Sequence, residues 1–124
     1  MNKINSFTDL KTWQEGHKLV ICVYKITKIF PREELYSIVD QMRRSASSVT
    51  AIIAEGFGRK TLKDKVHFYY QANGSLLELK NFLLISKDVG YLNETQVNEL
   101  LHQLNYTHKL LQGLITKTNS YIKF

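Results

Sequence analysis

Residues that could contact a polyanion are concentrated in one short stretch of the chain. Between positions 57 and 70, basic and aromatic side chains alternate at Phe57, Arg59, Lys60, Lys63, Lys65, His67, Phe68 and Tyr70. Cationic side chains bind phosphates and aromatic rings stack on bases, so this mixture is typical of surfaces that hold single-stranded nucleic acid. The alternative is that the phenylalanines belong to the core and the lysines are simply solvated.

The charge distribution adds a second group of cations to this candidate surface. The formal net charge is +6 at pH 7, and residues 41–65 hold six basic against two acidic side chains. Residues 1–40 and residues 66–124 each carry an excess of only one positive charge. Because a clustered excess favours polyanionic partners, the sequence predicts a nucleic-acid-binding surface formed by Arg43, Arg44, Arg59, Lys60, Lys63 and Lys65.

The two groups of cations differ in how free their charges should be. Asp40 and Arg44 have the i, i+4 spacing of a surface ion pair. We expect Arg43, at the rim of the packed face, to pair with a glutamate across the bundle. The group formed by residues 59–65 is therefore the better candidate. The alternative for both groups is a solvated helix end.

The sequence contains no catalytic, nucleotide-binding or metal-binding motif with the spacing that such sites require. The stretch from Gly56 to Lys60 lacks the pattern of a phosphate loop and of a dinucleotide fingerprint. No two histidines have the i, i+3 or i, i+4 spacing of a metal pair, and no histidine or acid is spaced to activate a serine among residues 45–48. We therefore expect a protein that is not an enzyme, with no metal, cofactor or small-molecule substrate.

Two acids and one thiol need a separate interpretation. Glu55 and Glu78 lie closest to the packed faces, either as paired catalytic carboxylates or, more simply, as ion-pair partners of Arg43 or Arg59. Cys22, the only cysteine, lies in the most apolar segment and is predicted to be a small core residue. A single cysteine excludes an internal disulfide framework and suits a reducing compartment.

Four helices account for the apolar spacing of the chain. The first is predicted from about Leu10 to Phe30, before Pro31. The other three have apolar positions that alternate steps of four and three. These positions are Leu35, Val39, Met42, Ala46, Val49, Ile53 and Gly56 in the second; Leu62, Val66, Tyr69, Asn73 and Leu76 in the third; and Val97, Leu101, Leu104, His108, Leu111, Ile115, Thr118 and Ile122 in the fourth. Short connections predict an all-α antiparallel up-down four-helix bundle, as a single domain over residues 1–124.

Small residues and capping residues refine this prediction. The small side chains at residues 45–48 and Gly74, in the middle of the third helix, predict close helix crossings, so Gly74→Leu should overpack the bundle at a cost of about 1 to 3 kcal/mol. Gly56 and Gly58 are expected to end the second helix in a left-handed turn. Thr61 with Asp64, and Asn93 with Gln96, have the spacing of capping boxes.

The first helix is apolar on more than one face, which predicts a partner subunit. Leu19, Val23, Ile26 and Phe30 share one face, whereas Trp13, Val20 and Ile21 lie on another, and a four-helix bundle covers only one of these. The N-terminal residues lack the apolar core of a secretory signal, and no apolar run reaches the roughly 20 residues that span a bilayer. We therefore expect a cytoplasmic protein.

Several segments in sequence resemble a known family. They are FTDLKTWQEGHKL, FPREELYSIVDQMRRSASSV, IAEGFGRK, GSLLEL and KDVGYL. Nearly end to end, the chain resembles the bacterial four-helix-bundle proteins encoded by intervening sequences inside 23S ribosomal RNA genes. It departs from the usual Ser-Asn-Ile-Ala-Glu-Gly of that family, because Ile52 replaces the asparagine, and Thr50 replaces a proline that usually comes just before.

The resemblance implies an antiparallel four-helix bundle and a closed ring of five subunits, but no settled activity. The family is also similar to accessory proteins of diversity-generating retroelements, which form basic rings that contact nucleic acid and a reverse transcriptase. We therefore expect a homo-oligomer, a pentamer by resemblance, that binds RNA or DNA, with RNA favoured. The alternative is an oligomeric scaffold or adaptor that binds another protein and no nucleic acid.

Overall fold

Four long helices make up most of the chain in the computed structural model, which describes residues 3–122. They are α1 (Lys11–Ile26), α2 (Ile38–Phe57), α3 (Leu62–Asp88) and α4 (Glu94–Ser120). Short 3₁₀ turns at Phe7–Asp9, Thr27–Ile29 and Arg32–Glu34 precede or connect the first two helices. No strand occurs among residues 3–122.

Each helix packs against two others in a closed cycle. α1 contacts α2 and α4, and α3 contacts the same two helices, so α1 and α3 occupy diagonal corners. Because the connections are short, consecutive helices run antiparallel. The predicted all-α up-down four-helix bundle is confirmed.

The buried faces follow the predicted spacing, with local shifts. In α2 all the predicted positions from Val39 to Gly56 are buried, but Leu35 precedes the helix and is 41% exposed. In α4, Leu100 and Thr107 are buried, whereas the predicted Leu101 and His108 lie at the rim. A straight helix with 3.6 residues per turn drifts away from a strict seven-residue repeat, which explains the one-residue shifts.

The same shift occurs in α3, where Ala72 is fully buried and the predicted Asn73 is only half-buried. The buried stripe of α3 contains Tyr69, Ala72, Leu76, Leu79, Leu83 and Ser86.

Helix α1 is shorter than the sequence predicts. It ends at Ile26, and the chain continues into a 3₁₀ turn in which the hydroxyl of buried Thr27 donates to the carbonyl oxygen of Val23 at 2.7 Å. Phe30 is extended before Pro31, as the proline requires. The prediction that Cys22 is a core residue is wrong, because its side chain is exposed. Leu19 and Val23 face the core from this corner helix, and Cys22 projects outside the line between them.

Capping residues define the starts of α3 and α4, with the full predicted capping box at α4 and its N-cap bond alone at α3. The Thr61 side chain accepts a hydrogen bond from the backbone nitrogen of Asp64 at 3.1 Å. Asn93 and Gln96 exchange backbone-to-side-chain bonds at 2.8 and 2.9 Å. The expected left-handed turn after α2 is wrong, because Gly58 has φ −79° and Gly56 lies inside the helix. Within residues 3–122 positive φ occurs at Gly90, with 87°, where α3 gives way to the next connection.

Helices α2 and α3 approach each other closely at Gly56 and not at Gly74. A Cβ at Gly74 would meet no atom within 4 Å, so the prediction of a tight crossing there is wrong. A Cβ at Gly56 would lie 2.8 Å from Cβ of Phe68 and 3.0 Å from Cε1 of Tyr69. Gly74 is on the outer side of α3, which sequence periodicity in a helix with apolar residues on two faces does not reveal.

Gly56 should therefore be the glycine that the bundle cannot replace. Gly56→Ala forces α2 and α3 apart and should destabilise the protein by about 1 to 3 kcal/mol, as overpacking does. Gly113→Ala is the matched control, because a Cβ there meets open space, and loss of a helical glycine should stabilise by about 0.5 to 1 kcal/mol. Denaturant unfolding of both variants measures the difference. Equal stabilisation by the two alanines would contradict the close approach.

A buried carboxylate stabilises the contact between α1 and α4. Glu15 has a side chain only 5% exposed, and its Oε2 atom lies 2.9 Å from Nζ of Lys18 and 3.4 Å from Nζ of Lys11. The amide nitrogen of Gln103 donates to Oε1 at 3.2 Å. The hydrogen bond from Lys18, opposed by burial and aided by Gln103 and Lys11, lowers the pKa of Glu15 below its usual range.

This lowered pKa predicts a specific loss of stability in acid. The stabilisation is fully present above the ordinary glutamate pKa of about 4.3 and is lost as the pH falls through the lower folded-state pKa. Glu15→Gln should be less stable than the parent protein at pH 7 and should lose less stability between pH 5 and pH 2. Urea unfolding across this range is the measurement, with exposed Glu99→Gln as the control. Parallel pH profiles for the parent and Glu15→Gln would refute this role.

Candidate nucleic-acid interface

The six predicted cations occupy two places on the bundle. Arg43 and Arg44 lie in the first half of α2, and the other four surround the connection from α2 to α3. The 13 residues from Arg44 to the end of α2 correspond to about 20 Å of helix. One chain therefore presents two separate basic groups, which we call the α2 group (Arg43, Arg44) and the junction group (Arg59, Lys60, Lys63, Lys65).

Arg59 is held by its neighbours within the junction group. One guanidinium nitrogen lies 3.4 Å from Oε1 of Glu55, and Nε lies 4.0 Å from Oδ2 of Asp64. The guanidinium also covers the ring of Phe68, 4.4 Å from its centroid. The ion pair with Glu55 is one that the sequence indicated. Arg59 is thus partly neutralised and fixed in orientation.

Lys65 contributes to the end of α2. Its ammonium group donates to the backbone carbonyl oxygen of Phe57 and lies 5.1 Å from the centroid of the Phe57 ring. The last carbonyl groups of a helix have no partner within the helix, and a cation there also matches the helix dipole. Lys65 therefore stabilises the C-terminal end of α2, and its ammonium group is less available to a ligand.

Lys60 and Lys63 are the most available cations of the junction group. Both are exposed, and neither forms an ion pair with another described residue. The neighbouring rings are less available, because Phe57 and Phe68 are half-buried and covered by cations. Tyr70 is 55% exposed but lies further along α3. The junction is thus better suited to phosphate contacts than to base stacking.

In the α2 group, Arg43 has partners that the sequence did not indicate. Its Nε donates to the hydroxyl of Thr27 at 3.0 Å, and its guanidinium carbon lies 4.8 Å from the centroid of the Tyr24 ring. The expectation that a glutamate across the bundle would take Arg43 is wrong. Arg43 faces α1, whereas Glu78 lies on α3 and accepts a hydrogen bond from buried Ser45 at 2.8 Å.

Arg44 forms the expected pair with Asp40, with Nε 2.9 Å from Oδ2. The arginine side chain is 77% exposed, so this pair contributes little to stability. Arg43 and Arg44 line an open groove of about 530 Å³ between α1 and α2, which Tyr24, Asp40 and Ser47 also border. The acid in this groove offsets one of its two positive charges.

The basic surface predicted from the sequence did not include a row of lysines on α1. Lys11, Lys18 and Lys25 recur every seven residues and are all exposed. Their spacing was the available signal, but the apolar content of the helix obscured it. Lys11 and Lys18 pair with Glu15, so the row carries less free charge than its composition indicates.

Other chemistries have little support in the geometry of residues 3–122. No group of three or more histidine, cysteine, aspartate or glutamate side chains in this range is arranged to hold a metal ion. The hydroxyls of Ser45 and Ser47 donate to backbone carbonyl oxygens in the preceding turn, and Ser48 pairs with Ser75 at 3.1 Å. No helix in the described part of the chain has the length and apolar content to cross a membrane.

Comparisons with known proteins agree with this architecture. The family model described as 23S rRNA-intervening sequence protein matches residues 8–113. Among solved structures, the chain is similar to a protein of unknown function from the S23 ribosomal protein family of Bacteroides thetaiotaomicron, with a TM-score of 0.78 and 18% sequence identity. The similarity covers 84% of this chain and 97% of the other, and at that identity it shows the fold alone. No curated protein matches the sequence.

The contacts of the α2 group predict that its two arginines contribute differently to the stability of the bundle. Arg43→Ala removes a charged hydrogen bond to buried Thr27 and should destabilise the bundle by about 1 to 3 kcal/mol. Arg44→Ala, which removes the same charge from the next position, should change stability by no more than about 0.5 kcal/mol. Urea unfolding of the two variants tests this contrast. Equal effects would show that the Thr27 contact contributes nothing.

Proposed function

Because this chain belongs to the 23S rRNA-intervening sequence protein family, we propose that it is a non-enzymatic, homo-oligomeric helical bundle that binds RNA or other nucleic acid through a basic surface. The family match supports the helical fold, and the exposed basic residues support nucleic acid as the ligand. The observation that carries the proposal is the pair of exposed, unpaired lysines, Lys60 and Lys63, within the most basic segment of the chain.

The junction group suits a phosphate backbone more than a particular base sequence. Lysine contacts phosphate as a mobile point charge, whereas Arg59 is pre-oriented by Glu55 and Phe68 and keeps further N–H donors for a second phosphate. Phosphate contacts position a protein on nucleic acid without reading its sequence. Binding should therefore be weak for each subunit, tolerant of sequence and steeply dependent on salt.

Oligomerisation would strengthen this weak contact by repetition. In the ring of five subunits that the family resemblance implies, each junction group and each α2 group occurs once per subunit around the axis. A ligand that contacts several copies gains affinity because the later contacts are intramolecular. The separation of the two groups within one chain is then no obstacle to a continuous basic band.

Replacement of Lys60 and Lys63 should lower affinity more than replacement of other exposed lysines. Lys60→Ala with Lys63→Ala removes two phosphate contacts per subunit and should reduce the slope of log affinity against log salt by about 1.4 for each subunit that contacts a single strand. Lys109→Ala with Lys117→Ala, on exposed positions of α4, is the charge-matched control and should change the slope far less.

Fluorescence anisotropy with RNA and DNA of one sequence is the measurement. Stronger binding of RNA would support contacts to the 2′-hydroxyl. Equal losses in the two lysine variants would remove the junction group from the proposal. An absence of binding by the parent protein to single-stranded and structured RNA and DNA at low salt would refute the function itself.

A second candidate function is an oligomeric scaffold or adaptor for another protein. The observation that favours it is the exposure of large apolar side chains on α3, including Tyr70, Leu77 and Leu84. A monomeric soluble protein seldom aligns such side chains on one outer face. This function predicts apolar, salt-insensitive binding to a protein, and the affinity for that protein should not fall when Lys60 and Lys63 are replaced.

A further inference from the structure

Helix α3 has a second apolar stripe on the side that faces away from the bundle. Tyr70, Leu77 and Leu84 recur every seven residues and are 55%, 54% and 42% exposed. They lie outside the stripe that α3 buries against α2 and α4. A seven-residue apolar repeat is the pattern of helices that pack lengthwise against another helix. Within the described chain no helix covers this stripe, since α1 lies at the diagonal corner.

Gly74 forms a gap in this stripe, between Tyr70 and Leu77. A Cβ built there meets nothing within 4 Å, so the chain itself gives no reason for a missing side chain. A glycine inside a helix costs about 1 kcal/mol relative to alanine. The outer surface of α3 therefore has a hole flanked by two large side chains, which is the shape that accepts a projecting side chain from a facing helix.

The outer face of α1 has the complementary shape and charge. Ile21 and Tyr24 project from it, each 41% exposed, and exposed Lys18, Lys25 and Lys28 surround them. The charges beside the outer stripe of α3 are mixed: Asp88 and Glu78 are exposed, although Glu78 also accepts a hydrogen bond from Ser45, and Lys87 is exposed and Lys80 half-buried. Contact between two α1 faces would oppose lysines with lysines, whereas contact between α1 and α3 places lysines near carboxylates.

We infer that the outer stripe of α3, formed by Tyr70, Gly74, Leu77 and Leu84, packs against the outer face of α1 in a second copy of this chain. Ile21 or Tyr24 of that copy fills the gap at Gly74. Because the two faces lie on diagonal corners of one subunit, the contact is head-to-tail, and repetition of such a contact closes into a ring or continues as a filament. This inference rests on the proposed homo-oligomer and assigns its interface.

Light scattering at micromolar concentration tests the two faces separately. The parent protein should have a mass several times the 14.4 kDa of one chain. Leu77→Glu on α3 and Ile21→Glu on α1 should each reduce the mass to that of one chain, with the helical circular dichroism unchanged because both side chains are outside the core.

Gly74→Leu is the sharpest single variant, because it adds bulk only where a second copy would bind. It should lower the mass while the unfolding midpoint of the isolated chain stays the same or rises. Gly113→Leu is the matched control, since it is also an exposed helical glycine with open space around its Cβ position, and it should leave the mass unchanged.

A mixing experiment distinguishes a head-to-tail contact from a symmetric one. Leu77→Glu keeps an intact α1 face, and Ile21→Glu keeps an intact α3 face, so an equimolar mixture should form a particle of two chains from variants that are each monomeric. A mixture that stays monomeric, or an Ile21→Glu variant that keeps the parent mass, would overturn the pairing of α1 with α3. A monomeric parent would refute the proposed homo-oligomer, whereas an oligomeric parent whose mass survives Leu77→Glu and Gly74→Leu would refute this interface alone.

Discussion

The close approach of α2 and α3 is the constraint on which the rest of the structure depends. At Gly56 the two helices are so near that a Cβ on α2 would lie 2.8 Å from Cβ of Phe68 and 3.0 Å from Cε1 of Tyr69 on α3. Further along, the hydroxyl of Ser45 bonds to Glu78, and that of Ser48 bonds to Ser75. Such contacts require small side chains on α2 and polar groups that satisfy each other inside the interface. Because the end of α2 lies close to the start of α3, four residues are enough to connect them.

This short connection decides what the basic residues do. It brings Arg59 over the ring of Phe68 and Lys65 onto the last turn of α2, so these two cations stabilise the turn that carries them. Lys60 and Lys63 have no such partner in the described structure and project from the turn that Arg59 and Lys65 stabilise. A binding surface built in this way separates the residues that hold the geometry from the residues that are free to bind.

The two diagonal helices explain why the chain has more apolar surface than one bundle buries. α1 and α3 each contribute one face to the core and leave a second face with large apolar side chains outside. The sequence shows this property most clearly for α1, where the apolar run is nearly continuous. The outer stripe of α3 repeats more regularly than the outer face of α1. No side chain of the described chain fills the gap at Gly74 in this stripe.

The sequence alone determined the four helices, the N-caps of α3 and α4 and the concentration of charge, because these features depend on residues three, four or seven positions apart. The Thr61 and Asn93 caps, the buried face of α2 and the pair of Arg44 with Asp40 all follow from such local spacing. Only the tertiary structure decided which residue faces which neighbour. Arg43 bonds to Thr27 and not to a glutamate, Cys22 is exposed, Thr107 replaces His108 in the core, and Gly56 replaces Gly74 at the close crossing. Periodicity identifies the two faces of a helix, but the small rotation that selects between neighbouring positions is set by packing against other helices.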